Sequence, residues 1–515
     1  MTAHESGLGD PSLGRSVMSF TLASTMVNLV NLGVLAILAR IISVAEMGVV
    51  VSVGLVLAVA SVIPDLGTAQ GILSLVADPS GAPQNQRVYA TIGIALKAFA
   101  SLVFGLTIML LAGHISVLIT GTLMYEPLFQ IVSFVAILSP LNATIGQVYL
   151  GLQRVTVWSG LQVASTVTGA LVTAVSVLSG AGPLGLVYGY LTRDAFLCIV
   201  SMVDLTKKKV LGLAGISGKA RATVSRIIRT SGILFFASLA GLITNWYDRA
   251  FLLTRFSLED AAVYGIAASL YSAIALAPSA FGPPLFSAFS RSFKAGEGML
   301  KSNIESSIRI VTFAMSLVMI AGAAFSQVIV PIVAGPRYSG SILPLTVLMI
   351  SGYSLALAIS TTGVLVIKRA ASRQALCLIA SAIVGIALSI ILSPVMSPLT
   401  MSFLRALTTG FSSIGVFILA RRYVGFDSQM RHIISQGVLG VGVFGAAWLM
   451  LSLLGSTLPV SAAVGALSIL LYLILTRTLK TVRARDIRTL EYALGPRYRL
   501  LVNVARKLLV GKGDE

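Results

Sequence analysis

Seven charged residues lie inside stretches that are otherwise apolar. Four are cations, Lys97, Arg193, Arg249 and Arg405, and three are acids, Asp65, Asp194 and Asp248. A charge near the middle of a bilayer costs about 2.5–3.5 kcal/mol on insertion scales, so such residues face a protein interior or a wet cavity and mark ion or substrate paths. The chemistry on offer is limited. An arginine fork matches the oxygens of an anion such as phosphate. A carboxylate carries an ion or a proton, or closes a salt bridge. Asp248 and Arg249 stand together in "ITNWYDRAF" (243–251). Adjacent helical residues point about 100° apart, so the pair cannot both face lipid cheaply. Arg249 is long enough to snorkel, whereas Asp248 is not and is expected to face a cleft or a cation on another helix. A gating or ion-linked acid and a static interhelical salt bridge both fit. Arg193 is followed by Asp194, but neighbours on a helix do not face each other, so Arg193 is expected to look elsewhere.

These side chains need carriers, and composition says what kind. The chain has 515 residues, 56% hydrophobic and 11% charged, with a mean hydropathy of +0.94. Soluble domains carry about 25% charged residues. Runs of about 20 apolar residues recur from Val17 to Thr476, each long enough for a bilayer core of about 30 Å. The expected fold class is an all-α polytopic membrane protein with about 14 transmembrane helices. No run shows the roughly ten-residue alternation of a barrel strand. The two cysteines, Cys198 and Cys377, sit in apolar runs and read as small buried hydrophobes. The three histidines, His4, His114 and His432, are scattered, so neither a disulfide framework nor a zinc site is indicated. The first 16 residues lack the pattern of a cleaved signal peptide, and the first span is expected to insert the protein.

The net charge of +19 raises nucleic acid as a partner, and its distribution argues against it. With the N-terminus in the cytoplasm, three of the 37 basic residues fall in outer loops, Arg40, Arg255 and Arg337, and four within spans. The remainder lie on the inner side, which is the positive-inside bias and places both termini in the cytoplasm. The basic stretch 205–230 reads as a topology signal beside anionic lipids. The tail 477–515 has Val482, Ile487, Leu490 and Leu494 at near-helical spacing among arginines and reads as a helix on the inner membrane surface.

A faint self-match runs at an offset of 215 residues. "FTLASTMVNLVNLGVLAILAR" ends at Arg40 and "FFASLAGLITNWYDRAFLLTR" ends at Arg255. "LQR" (152–154) pairs with "IKR" (367–369), and Pro183-Leu184 with Pro398-Leu399. Six spans per repeat is an even number, so both halves enter from the same side as parallel repeats, the plan of transporters that bind substrate between two lobes. The expected layout is a cytoplasmic N-terminus (1–16), an N-lobe (17–204), the basic linker (205–230), a C-lobe (231–420), an appended helix pair (433–476) and the tail (477–515).

On "LARIISVAEMGVVVSVGLVLAVASVIPDLG" (38–67), "DRAFLLTRFSLEDAAVYGIAASLY" (248–271), "FSRS" (289–292) and "VLVIKRAASRQAL" (364–376), the chain resembles the lipid-linked polysaccharide and O-antigen repeat-unit flippases of the multidrug/oligosaccharidyl-lipid/polysaccharide (MOP) exporter superfamily. The resemblance covers about 13–480. It implies two six-helix bundles in a V-shaped, MATE-like fold plus two extra C-terminal helices. It also implies translocation, by alternating access, of a polyprenyl-(di)phosphate-linked oligosaccharide from the cytoplasmic to the outer leaflet of the cell membrane. Such cargo needs a polar cavity, because unsatisfied polar groups in hydrocarbon cost several kcal/mol each. Arg193, Arg405 and Lys97 are the candidates for the phosphate, and under the resemblance Arg15 meets the entering headgroup. For each, a private ion pair or a topology role is the alternative. Asn28, Asn31, Asn245 and Gln147 are candidates to line the sugar cavity, or else to bond between helices. Asp248, Arg249 and Asp65 are candidates for ion coupling or gating. Pro278 and the Pro283-Pro284 pair are expected to kink the span at 261–288. No cofactor is expected, Na+ or H+ being the candidate coupling ion. The expected partners are the lipid-linked glycan, anionic lipids and glycan-assembly enzymes. An ion-coupled multidrug exporter is the first rival, disfavoured because the solitary deep charges are cations. A membrane glycosyltransferase or polymerase is the second, disfavoured by short outer loops.

Overall fold

The computed structural model describes residues 11–77, 83–212, 220–279, 282–427, 429–455 and 457–479. Every regular element among them is helical. The α-helices are α1 (Pro11–Ile41), α2 (Val44–Val62), α3 (Thr68–Val76), α4 (Pro83–Leu110), α5 (Ala112–Thr120), α6 (Glu126–Gly151), α7 (Val155–Leu178), α8 (Pro183–Lys207), α9 (Ala220–Arg255), α10 (Leu258–Ser279), α11 (Gly282–Ala295), α12 (Glu297–Val333), α13 (Ile342–Ile367), α14 (Ala371–Ile391), α15 (Pro398–Val424), α16 (Met430–Leu454) and α17 (Leu458–Thr478). Twelve of the described helical segments are long and apolar enough to cross a membrane. Their outer faces carry large apolar side chains, such as Leu171, Val175 and Leu178 on α7 and Ile383 and Ile390 on α14. That pattern suits lipid as the surrounding solvent, and the chain is a multi-pass membrane protein.

The other two expected spans map onto α9 and onto α10 with α11. The span expected at 261–288 is two helices, with residues 280 and 281 between them outside the described part. Pro278 falls in the last turn of α10. Pro283 and Pro284 fall in the first turn of α11, where the missing N–H groups cost nothing. The span expected at 47–66 stops at Val62. Leu66 (φ 47°) and Gly67 (φ 73°) turn the chain before α3 begins. The span expected from 310 begins much earlier, at Glu297, so Arg309 is a buried helical residue rather than a loop residue.

The repeat is visible in helix punctuation. Ser43 opens α2 with a capping box, its hydroxyl accepting from Glu46 N while Glu46 accepts from Ser43 N. Ser257 opens α10 with the matching contacts, its hydroxyl accepting from Asp260 N at 3.0 Å and donating to the Asp260 carboxylate at 2.8 Å. Ser43 stands three residues after Arg40 and Ser257 two residues after Arg255, each arginine lying at the end of the preceding helix. The exits match as well, since α6 leaves through Gln153 (φ 57°) and α13 through Arg369 (φ 55°). Such residues satisfy the last free carbonyls of a helix.

The chain divides into two compact units, Met1–Ala262 and Val263–Glu515. In the first, α7 packs on α8 and α1, and α6 on α4 and α8. Helix α9 packs on α2, α3 and α4 of this unit, although its sequence pairs with α1 in the repeat. Trp246 of α9 meets Gly54 of α2, and Ser231 meets Gly71 of α3. Packing and repeat therefore divide the chain at different places. In the second unit, α13 packs on α12 and α15, and α14 on α15. The appended helices α16 and α17 dock on α12 through Met319, Ile320, Val443 and Tyr472. Tyr472 stacks on Phe313 with ring centroids 5.6 Å apart, and its hydroxyl donates to Gln436 Oε1 at 2.5 Å.

Candidate transport site

In the first unit the site begins with a close helix crossing. A Cβ on Gly169 of α7 would lie 2.7 Å from Arg193 Cβ and from Gly189 O, and one on Gly189 would collide with Thr173 Oγ1. Small residues let two membrane helices approach until backbones touch. That approach fixes the stretch of α8 that carries Arg193 and Asp194. From the opposite side, α6 holds the same stretch, with Asn142 Nδ2 donating to Asp194 O at 2.9 Å.

Arg193 does pair with its neighbour. Its Nε donates to Asp194 Oδ1 at 2.9 Å. The expectation that adjacent residues cannot meet is corrected here: it concerns Cβ directions, and the guanidinium is long enough to fold back across the helix surface. Its plane also lies over the Tyr190 ring, 4.9 Å from the centroid. The pair is asymmetric. The Asp194 side chain is 4% exposed and that of Arg193 is 27% exposed. Nε is spent on Asp194, while the two terminal amino groups make no hydrogen bond to protein among the described residues. The fork thus projects its outer N–H donors away from a buried counter-charge.

Lys97 is placed differently. It is enclosed, and its Nζ donates to Asp65 Oδ1 and, at 3.3 Å, to Pro64 O. Asp65 Oδ1 also accepts from Ala69 N at 3.2 Å, and Asp65 O accepts from Thr68 Oγ1 at 2.6 Å. The ion pair therefore sits on the break between α2 and α3 and caps the restart.

On α9, Asp248 is buried and its Oδ1 accepts from Arg249 N at 2.8 Å. The Arg249 guanidinium folds over the Trp246 ring, 4.5 Å from the centroid, and reaches Asn245 O at 3.5 Å. The Asn245 side chain is exposed. On α1, Asn28 is half-buried and donates to Ser24 O of its own helix at 2.7 Å, while Asn31 is exposed. Gln147 of α6 is half-buried, with Oε1 lacking a hydrogen-bond partner among the described residues. Arg15 lies in the first turns of α1, where side chains are outside the described part, and the tail 480–515 is outside it as well.

In the second unit, Arg405 is half-buried on α15. It is coupled electrostatically to Tyr271 of α10, whose ring packs against Gly352 of α13. A second buried guanidinium, Arg309 of α12, donates to Gln429 Oε1 at 3.0 Å and to Ser306 Oγ at 3.2 Å. Sequence reasoning missed Arg309 because the apolar run begins after it. It also missed Asn142, a lone amide in a run where Gln147 drew notice, and Tyr190, one turn before Arg193.

A family model described as polysaccharide biosynthesis protein matches residues 37–343. No curated protein sequence matches the chain. Solved structures do. One described as lipid II flippase MurJ in an inward closed conformation superposes with a TM-score of 0.70 at 12% identity, over 90% of this chain and 99% of that one. An inward-facing multidrug resistance MATE family transporter of the MOP superfamily superposes with a TM-score of 0.58 at 14% identity, over 80% of this chain and 98% of that one. A Vibrio cholerae MATE transporter gives 0.54 at 10% identity, over 80% and 97%. At these identities the likeness establishes the fold, which is MATE-like.

Proposed function

The chain belongs to the polysaccharide biosynthesis protein family, and we propose that it is a flippase rather than an enzyme, carrying a polyprenyl-(di)phosphate-linked oligosaccharide between the leaflets of the cell membrane. The observation that carries this reading is the Arg193 fork. It is a cation in the middle of a membrane-spanning helix, anchored through Nε and with its terminal donors unspent. A phosphate presents oxygens at the spacing those donors need, and the headgroup is the part of such a lipid that cannot stay in hydrocarbon.

Arg405 is the corresponding cation of the second unit. Arg193 and Arg405 lie on counterpart helices of the repeat, ten and seven residues after the Pro183 and Pro398 that open α8 and α15. Lys97, tied to Asp65, serves the α2–α3 break first. The half-buried amides Asn28 and Gln147 line the path for sugar hydroxyls, and Asp248 is the acid placed for ion coupling on α9.

The reading is tested in proteoliposomes holding a labelled polyprenyl-diphosphate oligosaccharide, by following its accessibility to a membrane-impermeant reagent. The glycolipid is expected to cross with wild-type protein and to slow by at least about tenfold in Arg193→Ala and Arg405→Ala, the loss of one charge-assisted bond. Exchange of cationic dyes against a Na+ or H+ gradient, with no movement of glycolipid, would instead make the protein a drug exporter.

A further inference from the structure

Two buried oxygens on either side of the α6–α8 contact lack a donor. Asp194 Oδ2 and Asn142 Oδ1 are both enclosed and make no hydrogen bond among the described residues. Their partners fix them in place. Asn142 Nδ2 is spent on Asp194 O, and Asp194 Oδ1 is spent on Arg193 Nε. Both unpaired atoms are acceptors, so neither can satisfy the other. Leaving buried acceptors unpaired is costly. One proton on Asp194 Oδ2 turns that oxygen into a donor while Asn142 Oδ1 still accepts.

We propose that Asp194 and Asn142 form a proton site that fills when the terminal donors of Arg193 take up an anionic headgroup. The inference rests on the reading of Arg193 given above. At rest, Arg193 and Asp194 neutralise each other. When a phosphate takes the guanidinium, an ionised Asp194 would be a second anion beside it in a poorly solvated place, and like charges there disfavour ionisation. One proton passes from the buffer acid to Asp194 Oδ2, leaving the buffer base behind, and the cluster gains one positive charge that offsets one of the two negative charges of a diphosphate diester.

The surroundings leave Asp194 as the group that responds. The charged and titratable neighbours coupled to it among the described residues are Arg193, Tyr190 and Cys198, all on α8. Helix α7 has no charged residue and meets this stretch at Gly169. Helix α6 has Glu126 in its first turn and Tyr149 near its other end, where it donates to Asp204, and α2 brings Glu46 to Gly182 at the far end of α8. Coupling is reciprocal, so protonation must also strengthen anion binding.

The test measures proton uptake on binding. The probe is polyprenyl-diphosphate-N-acetylglucosamine, a diester with no proton of its own to exchange near neutral pH, added to the full-length protein in nanodiscs. Calorimetry in buffers of different ionisation enthalpy reads the protons. Wild type is expected to take up about one proton per probe, with affinity falling up to about tenfold per pH unit as pH rises. Asp194→Asn is expected to bind without uptake and without that pH dependence. Asn142→Leu, which removes the acceptor but keeps the acid, is expected to reduce the uptake. Uptake that persists in Asp194→Asn, or is absent in wild type, overturns the proton site while leaving Arg193 as the headgroup cation. Undiminished binding by Arg193→Ala overturns the placement of Arg193 and the proton site with it.

Discussion

Lys97 reaches Asp65 at the turn that separates α2 from α3, and the same carboxylate oxygen caps the restarting helix. The cation is enclosed while the acid keeps 16% of its side chain exposed, so the pair locks the break from inside. Breaking a buried pair by removing one partner leaves an uncompensated charge. Lys97→Met and Asp65→Asn are each expected to lower stability by about 3 kcal/mol. The double variant is expected to recover most of the loss, as read by thermal melting in one detergent. Equal losses that simply add would mean the two residues do not act as a pair.

The repeat predicts equal roles for Ser43 and Ser257. Each caps a helix through its hydroxyl, and replacing such a cap by Ala costs about 1 kcal/mol. Ser43→Ala and Ser257→Ala are expected to lower the melting midpoint by similar amounts. A loss confined to one of them would show that the two helix starts are not energetically equivalent.

The α7–α8 crossing should not tolerate bulk. Gly189→Val drives side-chain atoms into Thr173 and the facing backbone, and overpacking costs about 1–3 kcal/mol or more. Because the crossing positions Arg193, the expected result is lost probe binding together with lowered stability. Gly180→Ala is the contrast: its Cβ would meet nothing, but φ is +90°, so it is expected to cost stability while leaving binding intact.

The two appended helices, α16 and α17, are tied to each other by a polar clasp and to α12 by apolar packing. Tyr472→Phe removes the donor to Gln436 Oε1 and is expected to cost about 1–2 kcal/mol. Adding Gln436→Leu, which removes the stranded amide, is expected to restore much of it. A melting series over the four proteins measures both terms.

Much of this architecture was legible in the sequence because bilayer thickness leaves few options for a run of apolar residues. The repeat was legible through landmarks at helix ends, such as Pro183 with Pro398, since turns demand particular residues. What stayed hidden depended on side-chain length and on neighbours distant in the chain. The Arg193–Asp194 bond comes from a flexible guanidinium, which Cβ geometry does not describe. The pairing of Lys97 with Asp65 joins residues on separate helices. The packing of α9 with α2 and α3 runs against its place in the repeat, and no periodicity records it. Asn142 is one amide in an apolar run, and only the contact with Asp194 O gives it a role.

The central claim is that the Arg193 fork holds the headgroup of a lipid-linked glycan, and glycolipid flipping by Arg193→Lys beside Arg193→Ala tests it most directly. Lysine keeps the charge but loses the paired donors. The account predicts that Arg193→Ala falls by at least about tenfold and that Arg193→Lys recovers only part of the rate, each compared at equal amounts of folded protein. Wild-type flipping by Arg193→Ala would contradict it.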